Sequence, residues 1–218
     1  MSGQGYLEAI REQTSRALWE VENTVDCIPD DMWDTPYCGM PLYKHVYHML
    51  HSLDQWFINP HRYVEPPFHI PNLNNLDAVT DKVLSREELR TYFLQVRKKI
   101  KRYLDGLTED VLLAQPEGCE WTRFTLMLTQ HRHLHSHIGM LMGFIIAKTG
   151  LWPKVIGLTG KMTEREGRNI CKNIGLQTPA YGFAGECFSC FHYAGKYLLR
   201  AKWQNSSSTP SVSLKKKA

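Results

Sequence analysis

Histidines dominate the chemistry this chain could perform. Four of its ten histidines alternate through Gln130-His-Arg-His-Leu-His-Ser-His-Ile-Gly139: His131, His133, His135 and His137. Residues four apart on a helix lie on one face, one turn above each other. The run therefore holds two stacked pairs, His131/His135 and His133/His137. A stacked imidazole pair can hold a borderline-soft divalent ion when another element brings a third ligand. A second cluster offers candidates: His45, His48 and His51, within Tyr43-Lys-His-Val-Tyr-His-Met-Leu-His-Ser-Leu-Asp-Gln-Trp56.

Helices are expected to position these side chains. Leu7, Ile10, Ala17, Leu18, Val21 and Val25 recur at helical spacing, and Pro29 follows the end. Residues 29–40 read as a loop rich in turn residues. A second helix is expected from about Leu42 to Phe57, stopped near Asn59-Pro60. Residues 60–84 are irregular, with prolines at 60, 66, 67 and 71; a loop that long in a compact domain is often functional. Ser85-Arg-Glu-Glu88 is a capping box for a third helix. Its apolar stripe is Leu89, Phe93, Val96, Ile100 and Leu104, with Gly106 at the C-terminal cap position. The basic residues Arg97, Lys98, Lys99, Lys101 and Arg102 read as a solvated face. Thr108 is placed to cap a short turn. A fourth long helix, from about Thr122 to Lys148, carries the histidine run and is ended by Gly150 and Pro153.

The expected fold is all-α, a four-helix bundle over residues 1–158. Residues 159–204 read as a helical extension packed on it, with a capping-box pattern at Thr163-Glu-Arg-Glu166 and a final helix from Glu186 to Trp203. Residues 205–218, rich in serine and lysine, read as a disordered tail.

Composition narrows the function classes. At 218 residues the chain can bury a proper core, and 43% apolar with 22% charged residues is an ordinary globular balance. Lys215, Lys216 and Lys217 supply three of its four net positive charges, so the body is near neutral. That argues against a nucleic-acid surface, which shows a basic stripe on the domain itself. No export signal is visible at the start, and the apolar run Ile138–Ala147 is about half of the roughly 20 residues a membrane helix needs. The six cysteines (Cys27, Cys38, Cys119, Cys171, Cys187 and Cys190) are irregularly spaced, so reduced thiols and a cytoplasmic location are expected.

A helical wheel, at about 100° per residue, weighs the histidines. The apolar centre of the fourth helix runs through Met127, Leu134, Ile138, Leu141 and Ile145. His133 and His137 flank it on one side; His131 and His135 flank it on the other, slightly closer in. The pairs lie about 160° apart, so one ion cannot use both. Periodicity does not choose between them. On the second helix the centre runs through Leu42, Val46, Met49, Leu53 and Trp56, and His45 lies nearer to it than His48.

At these residues the sequence resembles the DinB-like family of metalloenzymes, which are four-helix bundles. His48-Met-Leu-His-Ser-Leu-Asp-Gln-Trp56 resembles the family's second-helix pattern, a histidine with an aromatic residue eight positions later. His133-Leu-His-Ser-His137-Ile-Gly139 resembles its His-x3-His-x-Gly pattern on the last bundle helix. The resemblance covers roughly residues 5–155. It implies His48, His133 and His137 as ligands of one divalent ion, overruling the wheel on the second helix, where His45 remains the fallback; by donor chemistry zinc or nickel is the first candidate and iron a further one. It also implies diverse activities, thiol-dependent transferases and hydrolases among them.

Three neutral imidazoles leave a coordination position for water or substrate. Zinc so held can lower the pKa of water to about 7, or take a thiol as its thiolate. Those two outcomes separate a hydrolase from a thiol transferase. Asp54, six residues past His48, is turned by about 240° net and faces away from it. Tyr47, His51, Asp54 and Arg132 are candidates for supporting groups. The expected partner is a small molecule, with a low-molecular-weight thiol in view, and self-association as a homodimer is compatible with the fold; nucleic acid and membrane are not expected. A rival zinc site, Cys187-Phe-Ser-Cys190-Phe-His192, lacks a second cysteine pair at suitable spacing, with only Cys119 or Cys171 to add from afar. The rival function is a non-catalytic binding module, using loop 60–84 or the extension to hold a partner.

Overall fold

A computed structural model of the chain describes residues 5–160, Met162 and Ile170–Cys171. Four long helices run through it: α1 (Tyr6–Cys27), α2 (Leu42–Trp56), α3 (Arg86–Asp105) and α5 (Arg123–Thr149), with a short α4 (Glu109–Leu113) before the last. The described part is thus predominantly helical, as the apolar periodicity indicates. α1 packs on α5, α5 on α2, α2 on α3, and α3 back on α1. The facing stripes make one core: Ile10, Ala17 and Val21 of α1, Val46, Met49 and Leu53 of α2, Phe93, Val96 and Ile100 of α3, and Met127, Leu134, Ile138 and Leu141 of α5.

Local signals fix the helix ends. Ser85 and Glu88 form a reciprocal capping box at the start of α3, satisfying two of the amide donors a helix start leaves orphaned. Thr108 caps α4 and Thr122 caps α5 by accepting backbone amides. Gly150 follows α5 with φ +69°, a left-handed conformation that glycine adopts without steric cost. Two arginines close helix C-termini from other elements. Arg86 donates to the carbonyls of Val25 and Ile28 at 2.7 Å while lying over the Trp33 ring. Arg11 donates to Leu104 and Leu107 carbonyls at the end of α3. Each places a cation where the helix dipole is negative.

The loop expected at 29–40 contains more order than its composition suggests. β1 (Pro36–Tyr37) pairs antiparallel with β2 (Met40–Pro41) across Cys38 and Gly39, both with positive φ. That combination matches the strand twist in the tightest hairpins. The long segment between α2 and α3 has one 3-10 turn, Pro60–Arg62, capped by Asn59, and is otherwise irregular but anchored. Phe57, Leu73 and Leu84 are fully buried. Trp33 Nε1 donates to the Leu84 carbonyl at 2.8 Å, Lys82 Nζ to the Phe68 carbonyl at 2.7 Å, and the buried Lys44 ammonium to the Ala78 carbonyl.

The basic run of α3 is only partly a free solvated face: Arg97 pairs with Glu22 and Lys99 with Asp54. Beyond α5, β3 (Trp152–Pro153) pairs antiparallel with β4 (Ile170–Cys171), so those two residues of the expected helical extension are extended. The rest of that expectation, including the Thr163–Glu166 box, the helix from Glu186 and the Cys187/Cys190/His192 cluster, lies outside the described residues, as does the 205–218 tail. No helix of the described residues is long and apolar enough to cross a membrane.

Candidate metal centre

α2 and α5 face each other, and their histidines meet between them. His48 of α2 and His133 and His137 of α5 each present a ring nitrogen, all within 4.8 Å of one another. The ring centroids are 5.2 Å apart for His48–His133, 4.8 Å for His48–His137 and 4.5 Å for His133–His137. His48 Nε2 and His133 Nε2 are 3.2 Å apart. Two nitrogens sharing a tetrahedral ion at 2.0–2.1 Å would be separated by about 3.3 Å.

The protonation of His48 follows from its partner. Its Nδ1 lies 2.7 Å from the main-chain oxygen of Asn74. A carbonyl only accepts, so Nδ1 carries the proton and donates, and Nε2 turns its lone pair toward the α5 rings. A backbone carbonyl on the far nitrogen is a usual way of orienting a metal-ligating histidine.

The α5 rings are less well satisfied. Nδ1 of His133 and Nδ1 of His137 are buried and without a hydrogen-bond partner. An unpaired buried polar atom costs about 1–3 kcal/mol. Burial, reinforced by the neighbouring His48 ring, pushes His133 down to about 4. Burial, with His133, His48 and His45 adding, pushes His137 down to about 3. Both are therefore neutral at pH 7, the form that ligates. Three imidazoles, two of them with a buried unpartnered nitrogen and no carboxylate among them, fit a borderline divalent ion.

The other histidines are engaged elsewhere. His45, the fallback that the wheel favours, directs Nε2 at the Tyr37 carbonyl of the hairpin at 2.6 Å and is not in the converging group. His131 Nε2 lies 2.9 Å from Thr14 Oγ1 on α1, and His135 Nδ1 2.7 Å from the His131 carbonyl. Asp54 faces α3, accepting from Tyr92 Oη at 3.0 Å and Lys99 Nζ at 2.6 Å. Among the candidate supporting groups, Tyr47 bonds His69 and His51 bonds Glu65. Arg132 lines a groove between α2 and α5 together with Ser52, Trp56, Gln130 and His133. This groove, about 490 Å³, opens onto the cluster at His133.

Sequence reasoning missed Asn74, Glu65 and His69. Position 74 acts through its main-chain oxygen, which residue type does not encode. The only available signal was the length of the loop carrying all three.

Among the family models, curated proteins and solved structures compared with this chain, none matches.

Changing His131 and His135 together to Gln is expected to leave metal stoichiometry at its wild-type value. Their contacts reach Thr14 and the α5 backbone rather than the converging rings. Elemental analysis of the double variant checks this; loss of the ion would move the site to the α1 side of α5.

Proposed function

We propose that this chain is a DinB-like four-helix bundle that binds one divalent metal through His48, His133 and His137 and uses it in a metal-dependent transfer or hydrolysis. The observation that carries the reading is the convergence of these three rings, with His48 held in the ligating tautomer by Asn74. The cyclic packing of α1, α5, α2 and α3 supports the bundle. Zinc and nickel suit three imidazoles, and iron is a further candidate.

The surrounding residues suit catalysis better than a closed structural site. A structural ion is normally enclosed by four protein ligands, and the converging group offers three. Asp54 is committed to Tyr92 and Lys99. The groove brings solvent and small molecules to His133, with Trp56 as an apolar wall and Ser52, Gln130 and Arg132 as polar contacts. Arg132 offers a guanidinium to a substrate anion, and Ser52 and Gln130, themselves 3.3 Å apart, offer neutral hydrogen bonds. The bound ion would supply Lewis-acid activation of water or a thiol.

A cobalt-loaded sample of the full chain tests this. Millimolar low-molecular-weight thiol or small anions should change its visible spectrum. A spectrum indifferent to every added ligand would overturn the enzymatic part, leaving a metal-holding bundle that serves as a binding module.

A further inference from the structure

The loop between α2 and α3 carries a second group of ligating side chains that the three-histidine reading does not use. His51 of α2 and Glu65 and His69 of the loop each present one ligand atom, all within 4.8 Å of one another. His51 Nε2 is 2.8 Å from Glu65 Oε2, and His69 Nδ1 is 3.7 Å from the same oxygen. The His51 and His69 rings stack, with centroids 5.1 Å apart and planes 29° from parallel. We propose that His51, Glu65 and His69 form a second site, for a divalent first-row transition ion, and that the ion ties loop 60–84 to α2.

The donor set is chemically apt. Two imidazoles and one carboxylate make the three-cornered arrangement that holds iron or zinc while leaving positions open. Ligands at 2.0–2.2 Å around one ion stand roughly 3.3 Å apart, and the observed 2.8 and 3.7 Å bracket that value. Small side-chain movements suffice, and two of the three ligands, Glu65 and His69, belong to the loop. The His51 side chain is 3% exposed and the Glu65 side chain 46%. An ion can therefore arrive from the loop side without opening the helical core.

Proton placement is also accommodated. To ligate through Nε2, neutral His51 must hold its proton on Nδ1. That nitrogen faces the Asn74 side-chain amide at 3.3 Å. A half-turn of the amide presents its oxygen in place of its nitrogen, giving Nδ1–H an acceptor. The change is a tautomer shift with no net proton released. Tyr63 Oη donates to Glu65 Oε2 at 3.1 Å and holds the carboxylate in place. Tyr47 Oη, 2.7 Å from His69 Nδ1 in the metal-free chain, gives up that hydrogen bond when the ion takes the nitrogen, a cost the ion–ligand bond must exceed.

Asn74 connects the two groups. Its main-chain oxygen accepts from His48, and its side chain meets His51. A cation on His51, Glu65 and His69 would therefore steady the residue that orients a ligand of the first site.

The test uses the full chain stripped with chelator and titrated with cobalt(II), with stoichiometry and proteolysis within 60–84 as readouts. Wild type should take two equivalents and become several-fold more resistant to cleavage in the loop. Glu65→Gln and His69→Gln should each take one and lose that protection. His133→Gln should take one and keep it. Glu65 is exposed and its Gln variant nearly isosteric, so folding is preserved; circular dichroism confirms this for both loop variants. A wild type taking one equivalent, lost in His133→Gln and unaffected by Glu65→Gln, overturns this second site and leaves the three-histidine reading standing. One equivalent lost in Glu65→Gln but kept in His133→Gln supports the second site and overturns the first. No uptake at all overturns both.

Discussion

Replacing His133 with Gln is expected to weaken divalent-metal binding between α2 and α5 by more than about 100-fold while leaving the fold intact. Removing a group that merely orients a ligand costs about 10–100-fold, and His133 is placed as a ligand, its Nε2 3.2 Å from that of His48. Glutamine keeps a polar side chain at this half-buried position and removes the unpartnered Nδ1, so the metal-free variant should be at least as stable as wild type. Calorimetric titration with zinc reads the affinity. Thermal unfolding with and without zinc gives an independent check. Ligand at about 1,000 times Kd stabilises the native state by about 4 kcal/mol. That gain should shrink sharply in His133→Gln, leaving at most what the loop site supplies. An unchanged zinc affinity and an unchanged gain would show that the ion binds elsewhere.

Acid should destabilise the metal-free chain from an unusually high pH. Burial lowers the pKa of His45, His51, His131, His133 and His137 in the fold, in three of them to about 4, 4 and 3. In the unfolded chain each titrates near 6.5. Between those values the unfolded state binds more protons, so stability rises with pH there and is lost as pH falls. The loss should therefore begin near pH 6.5 and continue toward pH 4 to 3. Each additional proton bound on unfolding steepens it by about 1.4 kcal/mol per pH unit. Urea unfolding at stepped pH in the presence of chelator measures this. His131→Gln should flatten the slope by about one proton while its amide can still reach Thr14. Stability constant from pH 7 to 5, with loss only where carboxylates titrate, would contradict the account.

Local chemistry made much of the helical frame readable. The capping box at Ser85, the Thr108 cap and the apolar stripes each depend on residues a few positions apart, and each is present. On α2 the wheel places His45 nearer the buried stripe than His48, and His45 is the more buried of the two, but burial does not name a ligand. The wheel assumes one buried face, whereas ten of the fifteen α2 residues are buried. α2 packs on both α3 and α5, and the 60–84 loop meets it through Lys44, Tyr47, His48 and His51. On such a helix the position of a polar side chain relative to the apolar centre says little about what it touches. His45 meets the hairpin carbonyl of Tyr37, which no periodicity reveals. The DinB-like resemblance pointed instead to His48, the residue that the structure brings to His133 and His137. Asn74, Glu65 and His69 were unreadable for a different reason. They sit on irregular backbone, where neither a period of 3.6 nor one of 2 relates sequence distance to direction.

Anomalous diffraction from crystals of the zinc-loaded full chain tests the central claim most directly. The account predicts an anomalous peak between α2 and α5, with nitrogens of His48, His133 and His137 at about 2.0–2.1 Å and a non-protein ligand completing the shell. No ion between those three rings, with zinc instead at His131 and His135 or on the cysteines beyond residue 171, would contradict it.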